Sequence, residues 1–321
     1  MTFYITTLLV YAAVDIIACI ALNMQFGVSG LVNFGFILFQ AAGAYTAAVL
    51  SLPPQSANGG FQQYVLGLQL PFPLPWIAGA IAGGLVAIPI GFVVLRRLRG
   101  DYQAIALLVI SIIANLVITN ARPFLNGAAG VSLIPPPLAD QIGVEAVNTY
   151  EYQYFYVVIS LLCVGLVLFT ANRIANSPYG RSLRAMRENE VAAAALGKNL
   201  LAQKLTMFIV GGVMGGLSGA ILVGFIGLWA PAGWLYPETI VLFAAIIVGG
   251  RGNNWGAILG AILVPVGFFE ATRFMPNFGQ PGLIPAFQWV AIGSLILGFL
   301  WFRPKGVFPE RRRTFPNPGA G

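Results

Sequence analysis

The chain has 321 residues, of which 58% are hydrophobic and only 8% charged, and its net charge is +7. A soluble domain of this size carries about a quarter charged residues, so this composition excludes an ordinary water-soluble enzyme. Histidine is absent and the two cysteines, Cys19 and Cys163, sit far apart in apolar runs, which leaves no disulfide framework and no Cys/His metal site. The basic residues lie at the ends of apolar segments, so the positive charge reads as membrane orientation rather than nucleic-acid binding.

A helix needs about 20 residues to cross the hydrocarbon core. The first apolar run, 3–22, lacks a basic leader and a small-residue cleavage site and is expected to stay as a helix rather than be removed as a signal peptide. Further spans are expected at 34–52, 76–95, 104–119, 154–172, 205–226, 235–249, 255–273 and 285–302, the seventh being short. The fold class is therefore all-α: a polytopic integral membrane protein with about eight to ten transmembrane helices. Between the first two spans, 23–33 is glycine-bearing and polar for a membrane segment. It reads equally as a broken stretch lining a cavity or as a plain turn. The loops 53–75 and 120–153 are rich in Pro, Gly, Asn and Gln, which predicts irregular, solvent-facing chain.

If the spans alternate, fifteen of the seventeen Lys and Arg residues fall on one side, and only Arg122 and Arg273 fall opposite. The positive-inside rule makes the rich side cytoplasmic, with the N-terminus outside and the C-terminus inside. Were 235–249 only re-entrant, the arginine-rich tail would fall outside, so it is kept as a span.

The loop 173–204 reads as helix rather than tether. Ser177 can cap a helix with Pro178 at its first position, and Asn189 can start a second, with Glu190 in its first turn. Gly197 supplies a left-handed C-terminal cap, Arg184 and Glu188 are four apart and can pair, and Ala192 to Ala195 form a small-residue face. Such a helix suits docking to a separate motor; the alternative is an amphipathic helix lying on the headgroups, for which a run of alanines is poor because lipid-facing stripes prefer Leu, Phe and Trp. No phosphate-binding loop is encoded, because the only Gly-Lys pair, Gly197-Lys198, is followed by Asn199.

Residues 181–197 resemble the ATPase-contacting loop of ABC importer permeases, specifically the family of the high-affinity branched-chain amino-acid importers. Other blocks resemble that family in the same order: Arg99-Gly-Asp-Tyr-Gln-Ala-Ile105, Asn126-Gly-Ala-Ala-Gly-Val131, residues 248–261 and Arg303-Pro-Lys-Gly-Val-Phe308, with Gly43-Ala44-Tyr45 near the first. Phe36 stands where the family usually has histidine. The resemblance implies one transmembrane permease domain, 1–304, and a basic cytoplasmic tail, 305–321, in a bacterial cytoplasmic membrane. It implies as partners two ATP-binding subunits, a second homologous permease and an extracytoplasmic solute-binding protein, with ATP and Mg on the ATP-binding subunits and no cofactor on this chain. The expected ATPase-coupling residues are Arg181, Arg184, Arg187, Glu188, Asn189, Glu190, Ala192, Ala193, Leu196 and Gly197. Urea and short-chain amide importers have similar permeases and remain the alternative substrates.

Inside the membrane, Asp15 lies mid-span, where a charge points to a packing hydrogen bond or a role in the solute path. Asn23, Gln25, Ser29, Asn33, Gln40 and Asn115 are further candidates for that path. An ion-coupled transporter or channel is the rival class, but one central carboxylate without histidine makes a poor charge relay. Glu270 and Arg273 are expected to pair at a helix end, and Asp101 with a nearby arginine. The glycines Gly211, Gly212, Gly215, Gly216 and Gly219 predict a flat helix face for close packing or sliding.

Overall fold

The structure, a computed structural model, describes residues 2–55, 62–138, 149–274 and 282–310. The predicted residues Arg311, Arg312 and Arg313 and the rest of the tail beyond 310 lie outside the described residues, as do 56–61 and 139–148 of the two loops. Among the described residues eight helices are long and apolar enough to cross a membrane, and a ninth apolar helix is shorter. In chain order they are α1 (Thr2–Asn23), the short α2 (Ile37–Ser51), α3 (Leu74–Arg97) and α4 (Gly100–Asn120). A single turn, α5 (Arg122–Leu125), precedes α6 (Tyr150–Asn176), the polar pair α7 (Pro178–Glu188) and α8 (Glu190–Ala195), and α9 (Leu200–Ile226). Then come α10 (Tyr236–Gly249), α11 (Asn254–Ala261), α12 (Phe269–Arg273) and α13 (Leu283–Phe302). Eight of the nine expected spans fall each on one of these helices, and the expected span 255–273 covers α11, a π turn and α12.

Two spans are interrupted by wider π turns, Met24–Val28 after α1 and Ile262–Phe268 between α11 and α12. The second contains Pro265, which has no N–H to donate and forces the ladder to open. Helix boundaries exceed the hydropathy estimate at polar ends: α4 begins at Gly100, with Asp101 in its first turn, and α6 runs for 27 residues. An acidic residue in the first turn is favoured by the helix dipole. Asp101 meets no basic group within ion-pair distance among the described residues, so the expected arginine partner is replaced by this end effect.

Lipid tails are as apolar as leucine, so association in a membrane depends on close contact rather than on apolar burial. The centre of the bundle shows this. Gly216 of α9 lies against the backbones of Gly43 on α2 and Gly83 on α3, so closely that a β-carbon at Gly216 would meet Gly83 Cα at 3.1 Å. The expected flat glycine face is thus the seam of a three-helix core formed by α2, α3 and α9, with α1 alongside. Outward surfaces stay apolar and exposed: Leu85 and Phe92 on α3, Ile113 and Val117 on α4, Leu162 and Phe169 on α6, Leu297 and Trp301 on α13.

Contacts sort the connections into two ends. One gathers 23–30, 173–204, 250–254 and 303–310, the lysine- and arginine-rich end; the other gathers the loops 62–73, 121–138 and 227–235. At this second end the chain is more ordered than its composition suggests. Val131 and Ser132 pair antiparallel with Leu228 and Trp229, and Gln62 both accepts from the Ser132 N–H (2.9 Å) and donates to its carbonyl (2.8 Å). The two expected solvent-facing loops pack on each other because Gln62 serves the Ser132 peptide groups and the Val65 N–H donates to the Phe124 carbonyl at 3.1 Å. Tyr152 fastens the triple proline by donating to the Pro137 carbonyl at 2.8 Å. Near the same end Glu270 and Arg273 approach at 3.8 Å, the expected pair, and Tyr4 donates to Glu270.

Substituting Gly216→Val is expected to destabilise the bundle by about 1–3 kcal/mol, as overpacking does, and to lower the melting temperature of the detergent-purified protein. Gly293→Val, at a site where an added β-carbon meets nothing within 4 Å beyond its own helix backbone, is expected to stay near wild type; equal effects at both sites would contradict the close-contact seam.

Candidate functional site: a broken span and a docked helix pair

Helix α1 stops being regular at Asn23, and the chain from there to α2 is largely buried, Gly30 excepted, so the buried peptide and amide groups it frees need partners inside the protein. The expected polar residues supply them. Gln25 donates to the Phe208 carbonyl at 3.0 Å and accepts from Asn33 at 2.9 Å, while Asn33 also accepts from the Gly35 N–H at 3.1 Å. The Ser29 hydroxyl donates to the Gln25 carbonyl at 2.6 Å. Asn23 donates to Asn254 at 3.0 Å and accepts from the Gly252 N–H at 2.9 Å, and Asn254 passes the chain on to Asn172 at 2.9 Å. One amide ladder thereby ties α1, α6, α11 and the 250–253 turn. The stretch 23–33 is thus broken and largely buried, with its amides turned onto the protein's own groups.

The other candidates are elsewhere. Gln40 is buried on α2, where its backbone carbonyl lies against Gly219. Asn115 of α4 donates to the Pro231 and Trp234 carbonyls at 2.8 and 3.3 Å, holding the short turn that precedes α10. Asp15 is half-buried midway along α1 and interacts electrostatically with Glu238 in the first turn of α10. Phe36 is fully buried against Phe39 and Gly215. Asn172, Asn254 and Glu238 were not among the sequence candidates; a lone polar residue inside or at the lip of an apolar helix was the available signal.

At the arginine end, α7 and α8 form as their caps dictate. The Ser177 hydroxyl accepts from the Gly180 N–H at 3.1 Å, Asn189 accepts from the Ala192 N–H at 3.0 Å, and Gly197 closes the pair with φ +76°. Leu183 and Met186 turn inward and are fully buried, as is Ala193, while Lys204 reaches Glu190 at 2.7 Å. Outward, Val191 and Leu196 are 80% and 78% exposed, apolar groups on a polar unit. Arg181, Glu188 and Ala192 are also exposed.

Arg184 does not pair with Glu188. Its Nε lies 2.8 Å from Glu310 Oε1, a charge contact whose angle falls short of a hydrogen bond, and the other oxygen of Glu310 accepts from Arg187 at 2.7 Å. The i,i+4 spacing loses because α7 turns those arginines inward, onto the segment that follows α13. Arg187 also donates to the Gly27 carbonyl, in the π turn of α1. That residue therefore touches the break in the first span directly.

Among the described residues no three His, Cys, Asp or Glu side chains converge to hold a metal ion. A polar helix pair, anchored by charge to a broken helix at one end of a bundle of long apolar helices, marks a polytopic membrane protein. A family model for "Branched-chain amino acid transport system / permease component" matches residues 4–300. The chain belongs to that family, and it is a transporter subunit rather than an enzyme. The high-affinity branched-chain amino acid transport permease LivM of Salmonella typhimurium is 31% identical over 92% of this chain and 68% of the relative. The probable LivM of Methanocaldococcus jannaschii is 28% identical over 96% and 94%. Similarity extends to the fructose import permease FrcC of Rhizobium meliloti, 30% identical over 48% of this chain and 40% of the relative. No solved structure gives a significant match. As a permease of an ABC importer, the protein works with ATP-binding and substrate-binding components.

Asn23→Ala leaves the part-buried Gly252 N–H and the buried Asn254 amide without this partner, with an expected cost of about 1–3 kcal/mol. Thermal unfolding of the purified variant measures it, and an unshifted melting temperature would remove Asn23 from the ladder.

Proposed function

We propose that this chain is one of two homologous permeases in an importer that carries branched-chain amino acids inward across the cytoplasmic membrane. Two ATP-binding subunits bear the nucleotide and Mg, and this chain binds neither. An extracytoplasmic binding protein delivers the solute. The C-terminus and the α7–α8 pair face the cytoplasm. The positive-inside rule supports that orientation, since alternating spans put fifteen of the seventeen basic residues on one side, and the described ones at 173–204, 251 and 303–305 share one end of the bundle. The substrate class is supported by the family description and by relatives named for branched-chain amino acids over most of their length.

One observation carries the reading. Helix α8 exposes Val191, and its C-cap exposes Leu196, beside a charged helix whose inner face is locked onto the broken span. An exposed apolar pair on a polar projection fits burial against a partner protein, and the alanine-rich remainder lets that partner come close. Asp15, Asn23, Gln25, Ser29, Asn33, Gln40 and Asn115 lie on or beside the interior segments through which a solute would pass. Asn23, Gln25, Ser29 and Asn33 shape that interior by holding the break.

The Val191→Asp, Leu196→Asp double variant is expected to insert normally and to lose at least about 90% of its ATP-binding subunits on affinity purification, as loss of a buried apolar contact predicts. Full retention of those subunits would contradict the docking role.

A further inference from the structure

The segment after α13 is built into the arginine end. The Val307 and Phe308 N–H groups donate to the Val248 and Gly249 carbonyls, each at 2.9 Å, extending the last turn of α10 with a piece of chain. This fixes Glu310 beside α7. Its two oxygens then face Arg184 and Arg187, with side chains only 18%, 31% and 14% exposed respectively. Around Arg187 the space is made by glycine: a β-carbon at Gly30 would meet its Cγ at 2.7 Å, and one at Gly252 would meet Glu310 Oε2 at 2.9 Å. The guanidinium thus reaches the Gly27 carbonyl through a slot with no room for side chains.

Arg187 alone would make a poor strut. An arginine side chain has many rotamers, and one hydrogen bond to a carbonyl leaves it free to swing as α7 moves. A carboxylate on its other nitrogen removes that freedom and is less screened for being partly buried. We propose that Glu310 is a positioning residue for energy coupling: by clamping Arg184 and Arg187 it makes α7 and the break in α1 move together. This rests on the importer reading above and adds to it a role for the segment following the last span. Displacement of α7 by an ATP-binding subunit then pulls on Gly27, while a loosened Arg187 lets α7 move without the break following.

The test uses the whole importer, reconstituted in proteoliposomes with its ATP-binding subunits, second permease and solute-loaded binding protein. ATP hydrolysis and solute uptake are measured together for wild type, Glu310→Gln and Glu310→Asp. Glu310→Gln is expected to keep its subunits and its basal hydrolysis while uptake per ATP falls at least about fivefold, the lower range of coupling between sites. Glu310→Asp, which retains the charge, is expected to recover at least half of it. Unchanged uptake per ATP in the assembled Gln variant overturns the role, and so does loss of subunits or of membrane insertion, which would assign Glu310 to docking or folding. A wild-type complex without ATP-driven uptake would instead sink the importer reading itself.

Discussion

The peptide groups released where α1 gives way at Asn23 cannot be left unpaired inside a bundle surrounded by lipid. Most of the polar chemistry on this side of the protein follows from that requirement. Gln25, Ser29 and Asn33 serve the released segment itself, and Asn23 hands the demand on to Asn254 and Asn172, so that distant spans become bound to one break. A regular helix would need none of these residues. Their presence fixes the end of the first span as a broken, interior stretch that adjoins the polar projection after α6.

That projection is α7–α8, and its attachment is ionic rather than apolar alone. Leu183 and Met186 give it a seat, but direction comes from Arg187, which joins the projecting unit to Gly27 across the same end of the bundle. A rigid seam of small residues among α2, α3 and α9 then stands beside a region held mostly by hydrogen bonds. Close backbone contact resists deformation, whereas amide ladders have alternative partners, so movement is expected to concentrate where the ladder runs.

Much of this was legible in the sequence because membrane helices write themselves as long apolar runs. The spans, the side on which basic residues gather, the caps at Ser177 and Asn189 and the turn at Gly197 all depend on local chemistry within a few residues. What could not be read depends on distance. Arg184 is four residues from Glu188, yet it faces Glu310, because the choice between them is made by how α7 sits on the chain after α13. The loops 53–75 and 120–153 were read as irregular from their composition, and the pairing of Val131–Ser132 with Leu228–Trp229 arises from a third segment a hundred residues away. Gln25 and Asn33 were recognisable as unusual for a membrane span, but whether such side chains meet one another or a solute is a property of the folded arrangement alone.

The central claim is that α7 and α8 project on the cytoplasmic side, where a motor subunit can reach them. Replacing Cys19 and Cys163 by serine and introducing Leu196→Cys gives a single exposed thiol on that unit. A membrane-impermeant maleimide should leave it unlabelled in intact cells and label it in inside-out vesicles that lack the ATP-binding subunits. Labelling in intact cells and none in the vesicles would put the helix pair on the outer face and contradict the account.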